Sequence, residues 1–217
     1  MFAKTLHDEL HHQGVRLVAV TKNQTVERIK PLYDAGLRHF GENRVQELVD
    51  KYEALPKDIR WHLVGHLQTN KVKYIAPFIH LVHSVDSEKL LEELNHQAVK
   101  NNRVIDCLLQ LHVAREETKH GLSSGEMMRF ATEENLKKYP NVRLRGLMTM
   151  ATNTDDDQQI RSEFLQANDV YYMLKQRMDE TSVAEIDTLS MGMSGDYETA
   201  IECGANMVRI GSLLFES

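Results

Sequence analysis

Short apolar segments of strand length alternate with helical patterns along the whole chain, and this alternation restricts the fold more than any other feature. The eight strand-like segments cover 15–21, 38–41, 61–67, 81–85, 105–113, 142–150, 186–191 and 207–210. The helical patterns cover 25–35, 42–55, 70–76, a segment capped at 86 or 87, 123–139, 158–178 and 196–202. No two strand-like segments are spaced as a hairpin, so parallel strands joined by helices are expected.

Eight strand–helix units close most naturally into a (β/α)8 TIM barrel, and 217 residues is near the small end of that class. We therefore predict an α/β fold with a single barrel domain over residues 1–217. An open, doubly wound sheet is the structural alternative. It is weakened because no G-x-G-x-x-G turn, the dinucleotide-binding signal of such a sheet, follows the first strand.

The composition is that of an ordinary globular protein, with a net charge of -6 and 41% hydrophobic residues. The basic residues are spread along the chain, which argues against nucleic acid or a membrane surface as a partner. No apolar run has the length of a membrane span, and the N-terminus lacks a signal pattern, so a cytoplasmic location is expected. Two cysteines without metal-ligand spacing are expected to be reduced, and no metal site is predicted; the acidic run 155–157 is interpreted as a helix start.

In such a barrel the functional groups lie where strands end and helices begin. The polar residues at these places are Lys22, Glu42, Asn43, His66, Gln68, Asn70, Ser84, His112, Thr149, Ser194, Arg209 and Ser212. The further lysines Lys71, Lys73 and Lys119 are interpreted as phosphate helpers or solvated charges.

Two turns near the C-terminus predict a phosphate-binding cradle. Segments 189–196 and 207–212 each run from an apolar strand into small, hydroxyl-bearing residues. Glycine lets the backbone approach a ligand closely, and the first amides of a helix are unpaired donors at a partial positive charge. Lys22 follows the first strand, and a neutral lysine amine forms an imine with an aldehyde. A phosphate grip beside such a lysine suggests pyridoxal phosphate (PLP); the alternative is a surface lysine paired with a carboxylate.

Arg209 lies inside a short apolar strand, where an unpaired cation would be costly. Its partner is expected to be either an internal carboxylate such as Glu42 or the pyridine nitrogen of the cofactor. Because an arginine does not readily give up its proton, that nitrogen would stay unprotonated. An unprotonated pyridine ring is a poor electron sink.

Six segments resemble the pyridoxal phosphate homeostasis protein family, whose fold looks like the barrel domain of alanine racemase. They are 19–22, 40–47, 61–71, 144–150, 189–196 and 208–212. The resemblance implies that PLP is held as a Schiff base on Lys22 and that Arg209 faces the ring nitrogen. By the same resemblance, the phosphate is bound by Ser194, Gly211 and Ser212, and the ring pocket is lined by Asn43, Met148 and the 65–68 turn.

Three departures from the family pattern concern local structure. Asn23, Gln24 and Thr25 stand where a proline usually follows the lysine, and His112 replaces an asparagine. The segment before the first strand is short, so the family helix that covers the barrel bottom is expected to be reduced.

The resemblance implies a cytoplasmic PLP carrier or regulator in vitamin B6 homeostasis, with PLP-dependent enzymes as its clients. Strong turnover is not expected, because racemisation needs an acid/base group on each face of its intermediate and alanine racemase takes one from a second domain. The lack of that domain here also favours a monomer. The alternatives are a PLP-dependent racemase or lyase, with His66 or His112 opposite Lys22, and a cofactor-free aldolase.

Overall fold

The computed structural model describes residues 2–114, 121–179, 181 and 184–215. In this part of the chain the strands form a closed barrel in which each strand pairs in parallel with the next and β8 pairs with β1. The strands are β1 (Arg16–Val20), β2 (His39–Glu42), β3 (Arg60–Leu63), β4 (Leu81–Val85), β5 (Ile105–Gln110), β6 (Val142–Met148), β7 (Ala184–Ser190) and β8 (Met207–Ile210). The predicted TIM barrel is confirmed, and the open sheet is excluded.

Helices connect consecutive strands on the outside of the barrel. They are α1 (Phe2–His12), α2 (Val26–Asp34), α3 (Val45–Ala54), α4 (Val72–Ile75), α5 (Glu88–Lys100), α6 (Ser124–Phe130), α7 (Glu133–Leu136), α8 (Asp157–Met178), α9 (Tyr197–Glu202) and α10 (Ser212–Phe215), with a short 3-10 turn at Thr69–Lys71. The Ser87 side chain caps α5, as one of the two predicted caps. Among the helices described, none has both the length and the apolar character needed to cross a membrane.

Several predicted boundaries were wrong, chiefly where a strand passes into the loop above it. The segments predicted as strands over 61–67 and 105–113 leave the sheet after Leu63 and Gln110. Leu67 is nevertheless buried, because the loops at the barrel mouth also pack against the core. The helix predicted from residue 42 begins at Val45, since Glu42 still belongs to β2.

Two helical segments also differ from the prediction. The helix predicted over 123–139 is two helices, because Thr132 caps the second of them with its side chain. Helix α10 was missed, since four residues are too few to show a helical period. The N-terminal segment, expected to hold a reduced helix, forms α1 and buries Ala3, Leu6 and Leu10.

The core has two layers. The outer layer lies between the sheet and the helices and contains the largest buried rings. A smaller inner cluster, Val18, Leu81, Leu108, Met148 and Met207, forms separately from it.

A register shift interrupts the ladder between β6 and β7 next to Gly146. This glycine has φ 142°, and a Cβ added to it would lie 1.9 Å from the carbonyl oxygen of Thr188. Only glycine fits such a close approach of two strands, and a bulge of this kind re-aims the residues that follow it. Met148 is the last residue of β6, and Thr149 follows it at the mouth end of the strand.

Candidate functional site

Most of the predicted site residues lie at the carboxyl ends of the parallel strands. Lys22 and Asn43 follow β1 and β2, and Ser194 lies in the loop after β7. Gly211 and Ser212 come directly after β8. All strands of the barrel are parallel, so these residues share one end, the mouth, which is where TIM barrels place their sites.

The predicted cradle is assembled from two loops. The backbone N–H of Gly211 donates a hydrogen bond to Ser194 Oγ over 3.2 Å, which ties the loop after β7 to the loop after β8. A Cβ added to Gly211 would lie 3.3 Å from the carbonyl oxygen of Val20, so this glycine packs against the end of β1. Val20 is two residues before Lys22. The cradle residues and the lysine-bearing turn are therefore neighbours around the barrel.

The turn that carries Lys22 is exposed, and its conformation is defined by the next residue. Asn23 has φ 60°, a left-handed conformation that asparagine tolerates better than most residues. The N–H of Asn23 donates to Glu47 Oε2 over 3.1 Å. Within the described residues the Lys22 amine has no hydrogen-bond or ion-pair partner, which leaves it available to a ligand.

A buried ion pair, which sequence analysis did not predict, contacts the residue that precedes Lys22. Lys51 Nζ lies 2.6 Å from Glu42 Oε1 and donates to the carbonyl oxygen of Thr21 over 2.7 Å. The Thr21 hydroxyl donates to the same Glu42 oxygen over 2.5 Å. Burial raises the pKa of Glu42, against the lowering effect of the Lys51 and Thr21 hydrogen bonds. Lys51 is spaced four residues from Glu47 on α3, which was the one sequence signal that could have suggested its role.

Arg209 is almost completely buried at the mouth end of β8. Its Nη1 donates to Ser190 Oγ over 2.8 Å, and its Nη2 donates to the carbonyl oxygen of Thr149 over 2.9 Å. Burial lowers the pKa of Arg209 to about 10, so the guanidinium stays charged at neutral pH. The suggestion that Glu42 is its partner was wrong, because Glu42 pairs with Lys51.

The remaining ring-pocket residues occupy two different environments. The backbone of Gly65 packs directly on Asn43, since a Cβ at position 65 would lie 2.3 Å from the Asn43 carbonyl oxygen. The 65–68 turn and Asn43 thus form one wall of the mouth. Met148 is fully buried in the inner cluster, where it pairs in register with Gln110 and Ser190.

His112 lies two residues beyond the end of β5. Its backbone N–H donates to the carbonyl oxygen of Leu122 over 2.9 Å. Its Nδ1 atom is buried and has no hydrogen-bond partner in the described part of the chain. Lys71 and Lys73 lie outside the barrel near the Tyr74 ring, and Lys119 falls outside the described residues.

Comparison with known proteins identifies the family. The family described as alanine racemase, N-terminal domain, matches residues 3–217. A pyridoxal phosphate homeostasis protein of Aquifex aeolicus is 43% identical over 201 residues, which cover 92% of this chain and 86% of that protein. The chain belongs to the pyridoxal phosphate homeostasis protein family. The resemblance drawn from the six sequence segments is thereby confirmed.

Solved structures of a relative agree with this family assignment. PipY of Synechococcus elongatus without PLP has a TM-score of 0.89 and 34% identity, with 99% of this chain and 100% of that chain covered. The PLP-bound PipY structure has a TM-score of 0.85 and 33% identity, with 98% and 99% covered. The barrel of this family member therefore matches a relative whose PLP-bound form is known.

Proposed function

We propose that this protein binds PLP at the barrel mouth and serves PLP homeostasis as a carrier. In this proposal Lys22 binds the cofactor aldehyde covalently, and Ser194, Gly211 and Ser212 bind its phosphate. The observation that carries the proposal is the contact of Gly211 with both Ser194 and Val20. This contact brings the hydrogen-bond donors of two loops, backbone N–H groups and a serine hydroxyl, next to the turn that carries Lys22. PLP-bound PipY, a relative in the same family, supports it.

The residues at the mouth fit the chemistry of this cofactor. PLP supplies an aldehyde that condenses with an amine, and Lys22 offers an exposed amine that no described residue engages. The Ser194 oxygen accepts from the Gly211 N–H, so its own hydroxyl proton remains for a phosphate, and other backbone N–H groups of the two loops are suitable donors as well. Arginine carries five N–H donors, so Arg209 keeps donors for a ring nitrogen beyond those bonded to Ser190 and Thr149.

The charge of Arg209 also favours a carrier over a strong catalyst. A guanidinium that donates to the ring nitrogen leaves that nitrogen unprotonated, so the ring withdraws electrons weakly. Asn43 and Met148 would line the ring pocket in the same proposal. We further propose that the protein acts as a monomer and hands PLP to PLP-dependent client enzymes, as the homeostasis name of its relatives suggests.

Borohydride reduction of the PLP-loaded protein tests the covalent attachment. The reduced linkage should be found on Lys22 by peptide mass spectrometry. Lys22→Ala should lose the visible absorption and the reducible label. Its cofactor-free form should keep the melting temperature of the cofactor-free wild type, since one exposed side chain is removed. Lys73→Ala, which removes an exposed lysine outside the barrel, is the matched control and should keep the visible absorption and the reducible label. A label that moves to another lysine without loss of affinity would contradict the assignment.

The same preparation distinguishes the carrier from an enzyme. The carrier should exchange the α-proton of amino acids for deuterium no faster than free PLP does. Rapid exchange that is lost in Lys22→Ala would instead identify a racemase or lyase.

A further inference from the structure

A series of side-chain hydrogen bonds runs through the barrel to Arg209. His39 Nδ1 lies 2.8 Å from His62 Nε2, and His62 Nδ1 lies 2.8 Å from His83 Nε2. His83 Nδ1 lies 3.1 Å from Ser190 Oγ, which also accepts the hydrogen bond from Arg209. We call His39, His62 and His83 the histidine chain. It ends at the guanidinium that we have proposed faces the cofactor ring.

The histidine chain connects the two ends of the barrel. His83 belongs to β4 and Ser190 to β7, which are not neighbours in the sheet, so their contact must cross the barrel interior. His62 and His83 are fully buried. His39 is half-buried at the start of β2 and lines a cavity of about 460 Å³ at the end opposite the mouth, together with Arg38 and Arg60.

The three rings are uncharged at neutral pH. Burial lowers the pKa of His39 to about 3, with a further contribution from nearby Arg16. Burial lowers the pKa of His62 and of His83 well below the ordinary value, and the neighbouring histidines, together with Arg209 beside His83, add to the effect. A neutral imidazole has one donor nitrogen and one acceptor nitrogen. The hydrogen bonds of the histidine chain can therefore all run toward Ser190 or all run away from it.

Arg60 selects one of these two directions. Its Nη1 lies 3.3 Å from His39 Nε2, and an arginine can only donate. His39 Nε2 must then be the acceptor, so the proton of His39 is on Nδ1 and is donated to His62. By the same reasoning His62 and His83 also carry their protons on Nδ1, and His83 donates to Ser190. In the opposite direction an N–H of His39 would face an N–H of Arg60.

We infer that Arg60 fixes the tautomers of the histidine chain and that the chain thereby fixes how Ser190 binds Arg209. In the direction set by Arg60, the Ser190 oxygen accepts from both His83 and Arg209. In the opposite direction the Ser190 hydroxyl would donate to His83 and would become a stronger acceptor for Arg209. His62, His83 and Ser190 are thus positioning residues for Arg209, and their effect on the cofactor rests on the proposed function.

A metal ion is the competing use of the same histidines. Ring nitrogens of His39, His62 and His80 lie within 4.8 Å of one another, and neutral imidazoles bind Zn²⁺ and Cu²⁺. Burial lowers the pKa of His80 to about 4, as it lowers that of His39, and the positive charges of Arg60 and Arg16 add to both effects. The same two positive charges repel a divalent cation. The observations therefore favour the hydrogen-bonded chain.

Proton–nitrogen NMR correlation on cofactor-free protein with isotope-labelled histidine tests the tautomers directly. The wild type should show His62 and His83 as neutral rings protonated on Nδ1 near neutral pH. Arg60→Met removes an exposed donor and should shift both rings together toward the Nε2-protonated tautomer. Arg38→Met is the matched control, because Arg38 lines the same cavity but bonds Asp58. An Nε2-protonated wild type, or a response of only one ring, overturns the inference.

Zn²⁺ titration of chelator-treated protein tests the metal alternative. Stoichiometric Zn²⁺ binding that changes the ring nitrogen signals of His39, His62 and His80 would overturn the hydrogen-bonded chain. Unchanged signals in the presence of Zn²⁺ support it.

A second measurement tests the coupling to Arg209 in PLP-loaded protein. The nitrogen resonance of labelled PLP should shift in Arg60→Met and in Ser190→Ala but not in Arg38→Met. If the tautomers reverse and this resonance does not move, the coupling to Arg209 is wrong. Failure of PLP to attach to Lys22 would contradict the proposed function and leave the tautomer result standing.

Discussion

The buried Glu42–Lys51 pair offers a test of what holds the Lys22 turn in place. In Lys51→Met the Thr21 carbonyl loses a donor and Glu42 loses its countercharge, while the apolar stem of the side chain is largely kept. Glu42 is fully buried, so its carboxylate cannot be solvated by water instead. The folded protein is expected to respond by protonating Glu42.

The cost of that protonation sets the size of the effect. Neutralising a carboxyl group of ordinary pKa costs about 1.4 kcal/mol for each pH unit above about 4.3, which gives about 4 kcal/mol near pH 7. This agrees with the roughly 3–5 kcal/mol measured when one partner of a buried ion pair is removed. Because burial already raises the pKa of Glu42 in the wild type, part of this cost is present before the mutation. We therefore expect a loss of about 3 kcal/mol in the free energy of unfolding.

The loss of stability in Lys51→Met should depend on pH in a definite direction. A carboxyl whose folded pKa is raised destabilises the protein above its unfolded pKa, and this penalty falls as the pH is lowered toward that value. The loss in Lys51→Met should accordingly shrink to about 1 kcal/mol near pH 5. The loss in the free energy of unfolding is measured by urea unfolding followed by circular dichroism near pH 7 and near pH 5. A loss that is the same at both would refute the protonation of Glu42.

A double variant provides the control. Glu42→Gln combined with Lys51→Met removes both charges, keeps an acceptor for the Thr21 hydroxyl and avoids an unpaired carboxylate. It should be more stable than Lys51→Met alone near pH 7, by about 1–3 kcal/mol, with little dependence on pH. Equal stability of the single and double variants would show that lost packing, rather than the unpaired charge, causes the effect.

Two further predictions concern backbone approach and the phosphate cradle. Gly146→Ala should lower the free energy of unfolding by about 2–4 kcal/mol, because residue 146 has φ 142° and its Cβ would lie 1.9 Å from the carbonyl oxygen of Thr188. Gly125→Ala is the control, because Gly125 lies in helix α6 and a Cβ there would make only ordinary contacts. It should leave the stability unchanged or raise it in the same urea assay. Ser194→Asp should weaken PLP retention at least about tenfold in equilibrium dialysis, because a carboxylate would face the phosphate. Ser162→Asp adds the same charge at an exposed position of α8 and should leave PLP retention unchanged. Equal retention in the two variants would show that Ser194 does not contact the phosphate.

The barrel and the position of its mouth could be predicted because they depend on local patterns. The alternation of strand-length and helical segments implies parallel strands, and parallel strands place their carboxyl ends together. This is why Ser194 and Gly211 could be expected on the same end as Lys22 before any distance was known. The exact ends of β3 and β5 could not, because buried loop residues such as Leu67 are as apolar as strand residues.

The sequence by itself determined the barrel, the family and the end of the barrel at which the candidate site residues lie, since periodicity, turn residues and motif order are properties of neighbouring positions. Only the tertiary structure decided the polar partners. The Ser190–His83 contact joins residues 107 positions apart, and the Arg209–Thr149 hydrogen bond joins residues 60 apart. Such contacts exist only once the sheet has closed, and no local pattern encodes which of several buried polar groups will then face each other. The pairing of Glu42 with Lys51 instead of Arg209 joins residues only nine positions apart, yet it also depends on packing, namely on which side of β2 faces α3.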